Sequence, residues 1–498
     1  MLYKPCFLLL AILGLNTWAW SQPGFNRIYD ATIIGNKSFD KVFVDQDTIF
    51  ALGVGYQLNS PQGLTLAKID SFGNLVAQNL ILDPLGDHLT MDFLWGNVIK
   101  TSQGYYAFPA IALGRGARLL IQIDQDLQVK SIFEFSLPTG DLSEFDNVIL
   151  ETQDGGFLIV GDVQRPNLKL DGFMRRIDSL GNLLWFKYLG GYLTGEYISF
   201  ASQVDNNRFL LSGGGQAKGT LWLVDSIGVL LEQKNIQAPN LTNIGDHIRI
   251  SDGGFIAEGS RYLGEGEWGS KIQPVLMKFD STLQLEWLKN VGPSTSNFNT
   301  FLDLAKTLEG QIIAAGSRTA YGDPSVPGTD WGGWLFKFSE QGDSIWSRAD
   351  NAPLGYDATG GFQYGGVGIL SSGSIVAGGL GEVDNKLVGW VVKVTADGCM
   401  DTLFCQTSKS EEVVVPTSVH LSPNPANNAA QIRFAQPSSD GSQLLLCDLA
   451  GRILLNQQIP AGVLEQTIQL SEYPSGWYFV MLLENGRVVL REKLVVIR

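Results

Sequence analysis

Trp268, Tyr321, Asp323, Asp330 and Trp331 combine flat apolar rings with hydrogen-bond acceptors, and they fall in two stretches, 261–272 and 318–333, that read as long loops. Rings beside carboxylates suit recognition of a sugar or a protein surface, because one face stacks while the oxygens accept hydrogen bonds. Catalytic patterns are scarcer. Gly264-Glu265-Gly266-Glu267-Trp268-Gly269 has the glycine spacing of a dinucleotide fingerprint, but no strand-to-helix unit surrounds it and two Glu side chains would face the pyrophosphate. The run from Gly213 to Thr220 lacks a glycine before Lys218 and reads as a hairpin turn, not a phosphate loop. His88, His247 and His420 lie far apart with no metal-ligand spacing, and no Gly-x-Ser-x-Gly elbow occurs. Paired carboxylates would serve a glycosidase, yet the chain holds 50 Asp and Glu and none pair off by spacing. The side chains therefore point to a binding module without cofactor or metal. An extracellular enzyme acting on glycans, glycoside hydrolase-like, and a structural surface-layer protein are the alternatives.

The elements that must position these residues announce themselves as repeats. Asp154-Gly155-Gly156-Phe157-Leu158-Ile159-Val160-Gly161 and Asp252-Gly253-Gly254-Phe255-Ile256-Ala257-Glu258-Gly259 are each a glycine turn followed by a short apolar strand. Looser copies lie at 47–53, 103–110, 207–213, 310–316 and 373–378, which makes seven. A second element follows each copy, as in Lys68-Ile69-Asp70-Ser71-Phe72-Gly73-Asn74-Leu75 and Arg176-Ile177-Asp178-Ser179-Leu180-Gly181-Asn182-Leu183. Here Asp caps a tight turn and Gly supplies its positive φ. Equivalent positions are Asp70, Asp124, Asp178, Asp225, Asp280, Ser339 and Thr395, spaced by 54, 54, 47, 55, 59 and 56 residues.

Each repeat reads as four short strands, A to D, with Trp early on strand D at Trp185, Trp287 and Trp346. No helical period is sustained. Seven such units predict an all-β, seven-bladed β-propeller over residues 22–405, since radial repetition buries both faces of each small sheet. The recurring Trp is expected to pack blade against blade. The seventh repeat lacks a normal strand D, and Phe25-Asn26-Arg27-Ile28-Tyr29 parallels Trp185-Phe186-Lys187-Tyr188, so the N-terminus is expected to close the ring. The Asp-Ser-x-Gly-x-x-x-Trp turn resembles the tryptophan-docking repeat of quinoprotein dehydrogenases but is one residue short. It also differs from the sialidase Asp-box, where Gly comes two residues after Asp.

Residues 1–21 carry one positive charge, Lys4, an apolar run from Phe7 to Leu15, and small residues at Ala19 and Ser21, the pattern of a signal peptide cleaved before Gln22. The run is too short to span a bilayer, so no transmembrane segment is expected once the signal is removed. Net charge is −15 overall; residues 1–21 add +1 and residues 417–498 balance six basic against six acidic groups, leaving −16 on 22–416. So acidic a body repels phosphate backbones, which argues against nucleic acid as a partner.

After a polar linker, 406–416, the pattern becomes a compact all-β module over 417–498. Its landmarks are Pro423-Asn424-Pro425, a strand running into the turn of Asp448, Gly451 and Arg452, then Gly476-Trp477-Tyr478, and finally Lys493 before the last strand. This pattern resembles the type A C-terminal sorting domain of Bacteroidota type IX secretion substrates, in which such landmarks recur in that order. The resemblance implies a small β-sandwich, a partnership with the type IX secretion machinery, and a secreted or outer-membrane surface-attached product. The partner of the propeller itself would be a glycan or a surface protein. Among the cysteines, Cys399 and Cys405 are close enough to bridge where a terminus needs pinning, whereas Cys447 sits in an apolar strand as a buried thiol.

Overall fold

The structure, a computed structural model, describes residues 24–29, 35–56, 61–91, 97–135, 143–164, 170–189, 195–215, 218–266, 269–292, 299–319, 331–353, 356, 358–400, 419–434, 442–447, 453–484 and 487–498. The signal sequence, the linker 406–416 and the Asp448-Gly451-Arg452 turn lie outside these residues. The chain divides into two compact units, 1–410 and 411–498.

All described elements are strands and the sheets are antiparallel. In the first unit they form a seven-bladed β-propeller. Blade 3 shows the plan: Ser143–Glu151, Phe157–Gln164, Leu170–Ile177 and Leu183–Leu189 pair in sequence order as strands A to D. Blade 5 repeats it with Leu241–Arg249, Phe255–Gly266, Gly269–Phe279 and Leu285–Asn290, and blade 6 with Asn299–Lys306, Ile312–Thr319, Trp331–Phe338 and Ser344–Asp350. Blade 7 has only three consecutive strands, Ala358–Ile369, Ile375–Val383 and Lys386–Val394. Its fourth is Phe25–Tyr29, which runs antiparallel to Lys386–Val394 with Phe25 opposite Lys393 and Tyr29 opposite Gly389. The expected closure by the N-terminal strand is therefore what the chain does.

The apolar core is partitioned by these blades. Buried side chains fall into separate clusters at the blade junctions, for example Phe50, Leu66, Phe108 and Leu119 between blades 1 and 2, and Ile313, Leu335, Tyr364 and Trp390 between blades 6 and 7. A sheet of four strands cannot bury both faces alone, so each blade is stable only between neighbours.

The repeated turn between strands C and D explains the recurring Asp. In blade 3, Asp178 Oδ1 accepts from Leu180 N at 2.9 Å and Asn182 N at 2.8 Å, and Gly181 has φ of 86°. Ser339 does the same work in blade 6 through its hydroxyl. This turn also fastens blades together. Lys187 on strand D of blade 3 donates to Ile227 O in the turn of blade 4 at 2.6 Å, and Lys289 of blade 5 donates to Gln341 O in the turn of blade 6 at 2.8 Å. Trp185 lies against Gly228, where a Cβ would meet its ring at 2.7 Å, and Trp287 lies likewise against Gly342 at 2.9 Å. The Trp residues thus pack blade on blade, as expected. Blades 2 and 5 place Leu127 and Leu283 in the left-handed position where the other turns have Gly, at φ of 62° and 59°. Both leucines are buried, and the preceding strands D carry Ala77 and Glu232 at the place of Trp185 and Trp287; blade 2 has Ser131 there, and Phe133 covers Gly181 instead. Volume is conserved at the junction: a ring meets glycine, and a small or polar residue meets leucine.

The second unit packs a three-stranded sheet, Val419–Ser422, Ala429–Phe434 and Glu465–Gln469, against a four-stranded one, Ile453–Ile459, Ser442–Cys447, Gly476–Glu484 and Arg487–Val496. Leu444, Leu446, Ile468, Val480 and Leu494 form its core.

Candidate functional site

Strands A line the axis of the propeller and enclose a cavity of about 370 Å³ to which all seven blades contribute. Its wall is unequal. Val42, Phe43, Val98, Leu150, Phe200, Ile248, Leu304 and Val367 make much of it apolar, whereas Lys41, Asn97, Ser202, Gln203, Asp246, His247 and Asp303 bring polar chemistry from blades 1, 2, 4, 5 and 6.

Asp246 and Asp303 sit on strand A where the junctions need them. Leu304 N of blade 6 donates to Asp246 Oδ2 of blade 5 at 2.7 Å, and Val367 N of blade 7 donates to Asp303 Oδ2 of blade 6 at 2.7 Å. In blade 2 the amide of Asn97 exchanges bonds with Ile149 N at 2.8 Å and Ile149 O at 2.9 Å in blade 3. Each bond satisfies a backbone group that the close approach of two blades removes from water. One face of the axis is thereby acidic. Burial, reinforced by the neighbouring Asp303, pushes Asp246 up to about 8. Burial also raises Glu258, which accepts from Asp246 N at 3.0 Å, to about 8 and raises Asp303. Asp303 keeps 24% of its side chain open and lies 3.8 Å from Lys41 Nζ, so one carboxylate of the group has a cationic partner while the deeper ones hold protons.

Of the residues expected in the ligand loops, Trp331 is described. It opens strand C of blade 6, 37% exposed, opposite Thr319 and against Gly361 of blade 7, where a Cβ would meet it at 2.7 Å. Trp268, Tyr321, Asp323 and Asp330 lie outside the described residues. The stretch 261–272 is not the long loop its composition suggests. Strands B and C of blade 5 extend through it as a hairpin, pairing Glu265 with Ser270 and Gly266 with Gly269 across a bulge that begins at Tyr262. Gly264 takes φ of 108° at that bulge, a conformation open to glycine, which is why glycines look like a loop in the sequence. Among the described residues no cluster of His, Cys, Asp and Glu is arranged to hold a metal ion.

In the second unit, landmarks about 70 residues apart converge. Val495 N donates to Asn424 Oδ1 at 2.9 Å, Asn424 Nδ2 donates to Lys493 O, and Ala426 N donates to Val495 O at 2.8 Å. Pro423 and Pro425 flank Asn424, both after cis peptide bonds. Lys493 lies over the exposed ring of Trp477, next to Gly476 and Tyr478, and the Tyr478 hydroxyl donates to Pro474 O at 2.8 Å. Asp448, Gly451 and Arg452 lie outside the described residues. Cys399 is disulfide-bonded, its expected partner Cys405 also lying outside, and Cys447 is buried.

Sequence reading did not find Lys41, Ser202, Asp246 or Asp303. The only signal was a polar residue interrupting an apolar strand A, as in Gly245-Asp246-His247-Ile248 and Leu302-Asp303-Leu304.

No curated protein sequence matches the chain. Among solved structures, a Dyadobacter fermentans protein of unknown function is similar at 8% identity, covering 75% of this chain and 98% of that one with a TM-score of 0.44. A Penicillium chrysogenum α-L-arabinanase is similar at 11% identity, 74% and 98% coverage and a TM-score of 0.40. A Pseudomonas aeruginosa periplasmic gluconolactonase follows at 14% identity, 63% and 88% coverage and a TM-score of 0.40. Likeness at this level carries no activity across. Residues 420–497 match the sequence profile of the secretion system C-terminal sorting domain. The chain thus carries a C-terminal sorting domain of the type IX secretion system behind a β-propeller passenger, and its destination is the cell surface or the medium.

Proposed function

We propose that the propeller is a binding module for a glycan or a surface protein, displayed or released outside the cell after Sec export and removal of residues 1–21. The observation that carries this reading is the asymmetry of the central cavity. Asp246 and Asp303, the carboxyls of its wall, come from blades 5 and 6, the same blades whose sequence carries the two aromatic-rich segments. Trp268, Tyr321, Asp323, Asp330 and Trp331 would then flank the acidic side of the axis, rings and acceptors together, as polyol recognition requires.

The neighbouring Asp246 and Asp303 favour a second reading, an enzyme cleaving glycans with a carboxyl pair, both raised by burial and Asp303 facing Lys41. Against it, each spends an oxygen on a backbone N–H of the next blade.

A glycan and surface-protein binding screen on the full mature chain tests the proposal, with Trp268→Ala/Trp331→Ala and Asp303→Asn variants alongside. We expect at least one ligand whose binding falls about tenfold or more in the double variant, since stacking contributes on the order of 1 kcal/mol per ring. Equal binding by all forms would move the site off this face. Cleavage of a bound glycan that Asp303→Asn abolishes would establish the enzyme instead.

A further inference from the structure

His247 and two serines form an arrangement on the blade 4 side of the cavity that the binding reading does not use. Ser202 is half-buried on strand A of blade 4, Tyr197–Asp205, Ser212 is buried on strand B of that blade, Arg208–Gly215, and His247 is buried on strand A of blade 5. Ser202 Oγ is 2.7 Å from His247 Nε2, and Ser212 Oγ is 3.1 Å from His247 Nδ1. The Ser212 hydroxyl donates to Gly245 O at 2.6 Å, which commits its only proton. With that proton on Gly245 O, Ser212 accepts from Nδ1, and the tautomer protonated at Nδ1 leaves Nε2 a lone pair for Ser202; the Gly245 and Leu210 carbonyls also bond the ring. Nε2 accepts in turn from the Ser202 hydroxyl. Phe200 and Phe255 stand edge-on to the imidazole at 5.2 and 6.0 Å and fix its plane. Burial pushes His247 down to about 4, which keeps it neutral and able to accept at ordinary pH.

Other junctions on the axis are joined differently. Asn97 to Ile149, Asp162 to Ile198, Asp246 to Leu304 and Asp303 to Val367 all bring a side chain to a backbone N–H. A junction needs no hydroxyl on the cavity wall, yet Ser202 lines it.

We propose that Ser202 is a nucleophile activated by His247, with Ser212 as positioning residue, and that this relay hydrolyses small carboxylic esters entering the central cavity. Ser202 Oγ attacks the acyl carbon while its proton passes to Nε2. The ester C–O bond breaks and the departing alkoxide takes that proton from Nε2, leaving as the alcohol. Water, deprotonated by His247, then attacks the acyl-serine, releasing the carboxylic acid and restoring the Ser202 hydroxyl. A hydroxyl at Ser212 orients the ring but, unlike a carboxylate, does not neutralise the imidazolium, so turnover is slow and the acylated or phosphonylated serine is the species to detect.

The test is incubation of the full mature protein with a small alkyl fluorophosphonate for several hours, followed by intact mass and peptide mapping. The expected result is a single adduct on Ser202, absent from Ser202→Ala. Labelling slows about tenfold or more in Ser212→Ala and recovers in Ser212→Thr, a rescue that a merely structural serine would not give. An unlabelled wild type, an adduct on another residue, or equal labelling of Ser202→Ala overturns the proposal. Mapping of the wild type decides the matter even where a variant fails to fold. Glycan binding is read separately, so failure here leaves the binding module standing.

Discussion

The ring of Phe25 lies against Gly73: a Cβ on that glycine would meet the ring at 2.9 Å. Phe25 belongs to the strand that closes blade 7, and Gly73 to the turn between strands C and D of blade 1. The pair reproduces Trp185 on Gly228 and Trp287 on Gly342. The neighbouring cation is reproduced as well, because Arg27 donates to Gly73 O at 2.6 Å as Lys187 and Lys289 do in their turns. Ring closure is one more blade junction.

Two substitutions test that equivalence. Phe25→Ala removes a buried ring and should cost on the order of 3 kcal/mol. Gly73→Ala forces a Cβ onto φ of 82° and into the ring, costing at least about 1–2 kcal/mol. Both should lower the urea midpoint of the entire propeller in one transition. A separate early transition confined to blade 7 would show that closure is not shared.

Export follows from the second unit. A chain lacking residues 417–498 should accumulate in the periplasm with Gln22 as its first residue, read by cell fractionation and N-terminal sequencing. Asn424→Ala removes the side chain that ties the opening of the sorting domain to Lys493 and Val495, and should lower the amount reaching the surface severalfold. Normal surface levels of the truncated chain would contradict the sorting role.

Buried carboxyls set the response to pH. Glu258 and Asp246 have folded values near 8, above their ordinary ones, so the folded chain holds protons that the unfolded chain gives up. Their contribution is present below about pH 4 and declines as pH rises toward 8. His247 has the opposite sign: lowered to about 4, it contributes above its ordinary 6.5 and loses that as pH falls. Glu258→Gln cannot ionise. Thermal melts should show this variant losing less stability than wild type between pH 5 and 8, by on the order of 2–4 kcal/mol. Parallel curves would mean that Glu258 titrates normally.

Cys399 sits beside the closing strand, since Gly24 N donates to Met400 O at 2.5 Å. Peptide mapping without reduction should recover a Cys399–Cys405 bridge, and Cys399→Ser should lower the thermal midpoint of the propeller. A bridge to another cysteine would refute the pairing.

The propeller was legible because its turns obey one local rule, Asp, Ser or Thr at the first position and a left-handed residue at the fourth, whatever their neighbours. Phe25–Tyr29 was legible for the same reason, as a copy of Trp185–Tyr188. The axis was not. Lys41, Asn97, Asp246 and Asp303 occupy related places in strands A with different chemistry, so no motif joins them until the ring brings them together. Leu127 and Leu283 were equally hidden, since their reason lies in the preceding blade.

Closure by the first strand also dictates an order of events. Asn26 accepts from Trp390 Nε1 across 364 residues of chain, so the segment synthesised first finds its place last. On the proposed Sec route, blade 1 presents an open apolar flank until blade 7 has crossed the inner membrane, and the loop to be closed is among the longest the chain can form. On that route folding of this passenger would be tied to completion of its own translocation, and the sorting domain, last in the chain, would reach the secretion machinery only with the strands that finish the ring already in the periplasm.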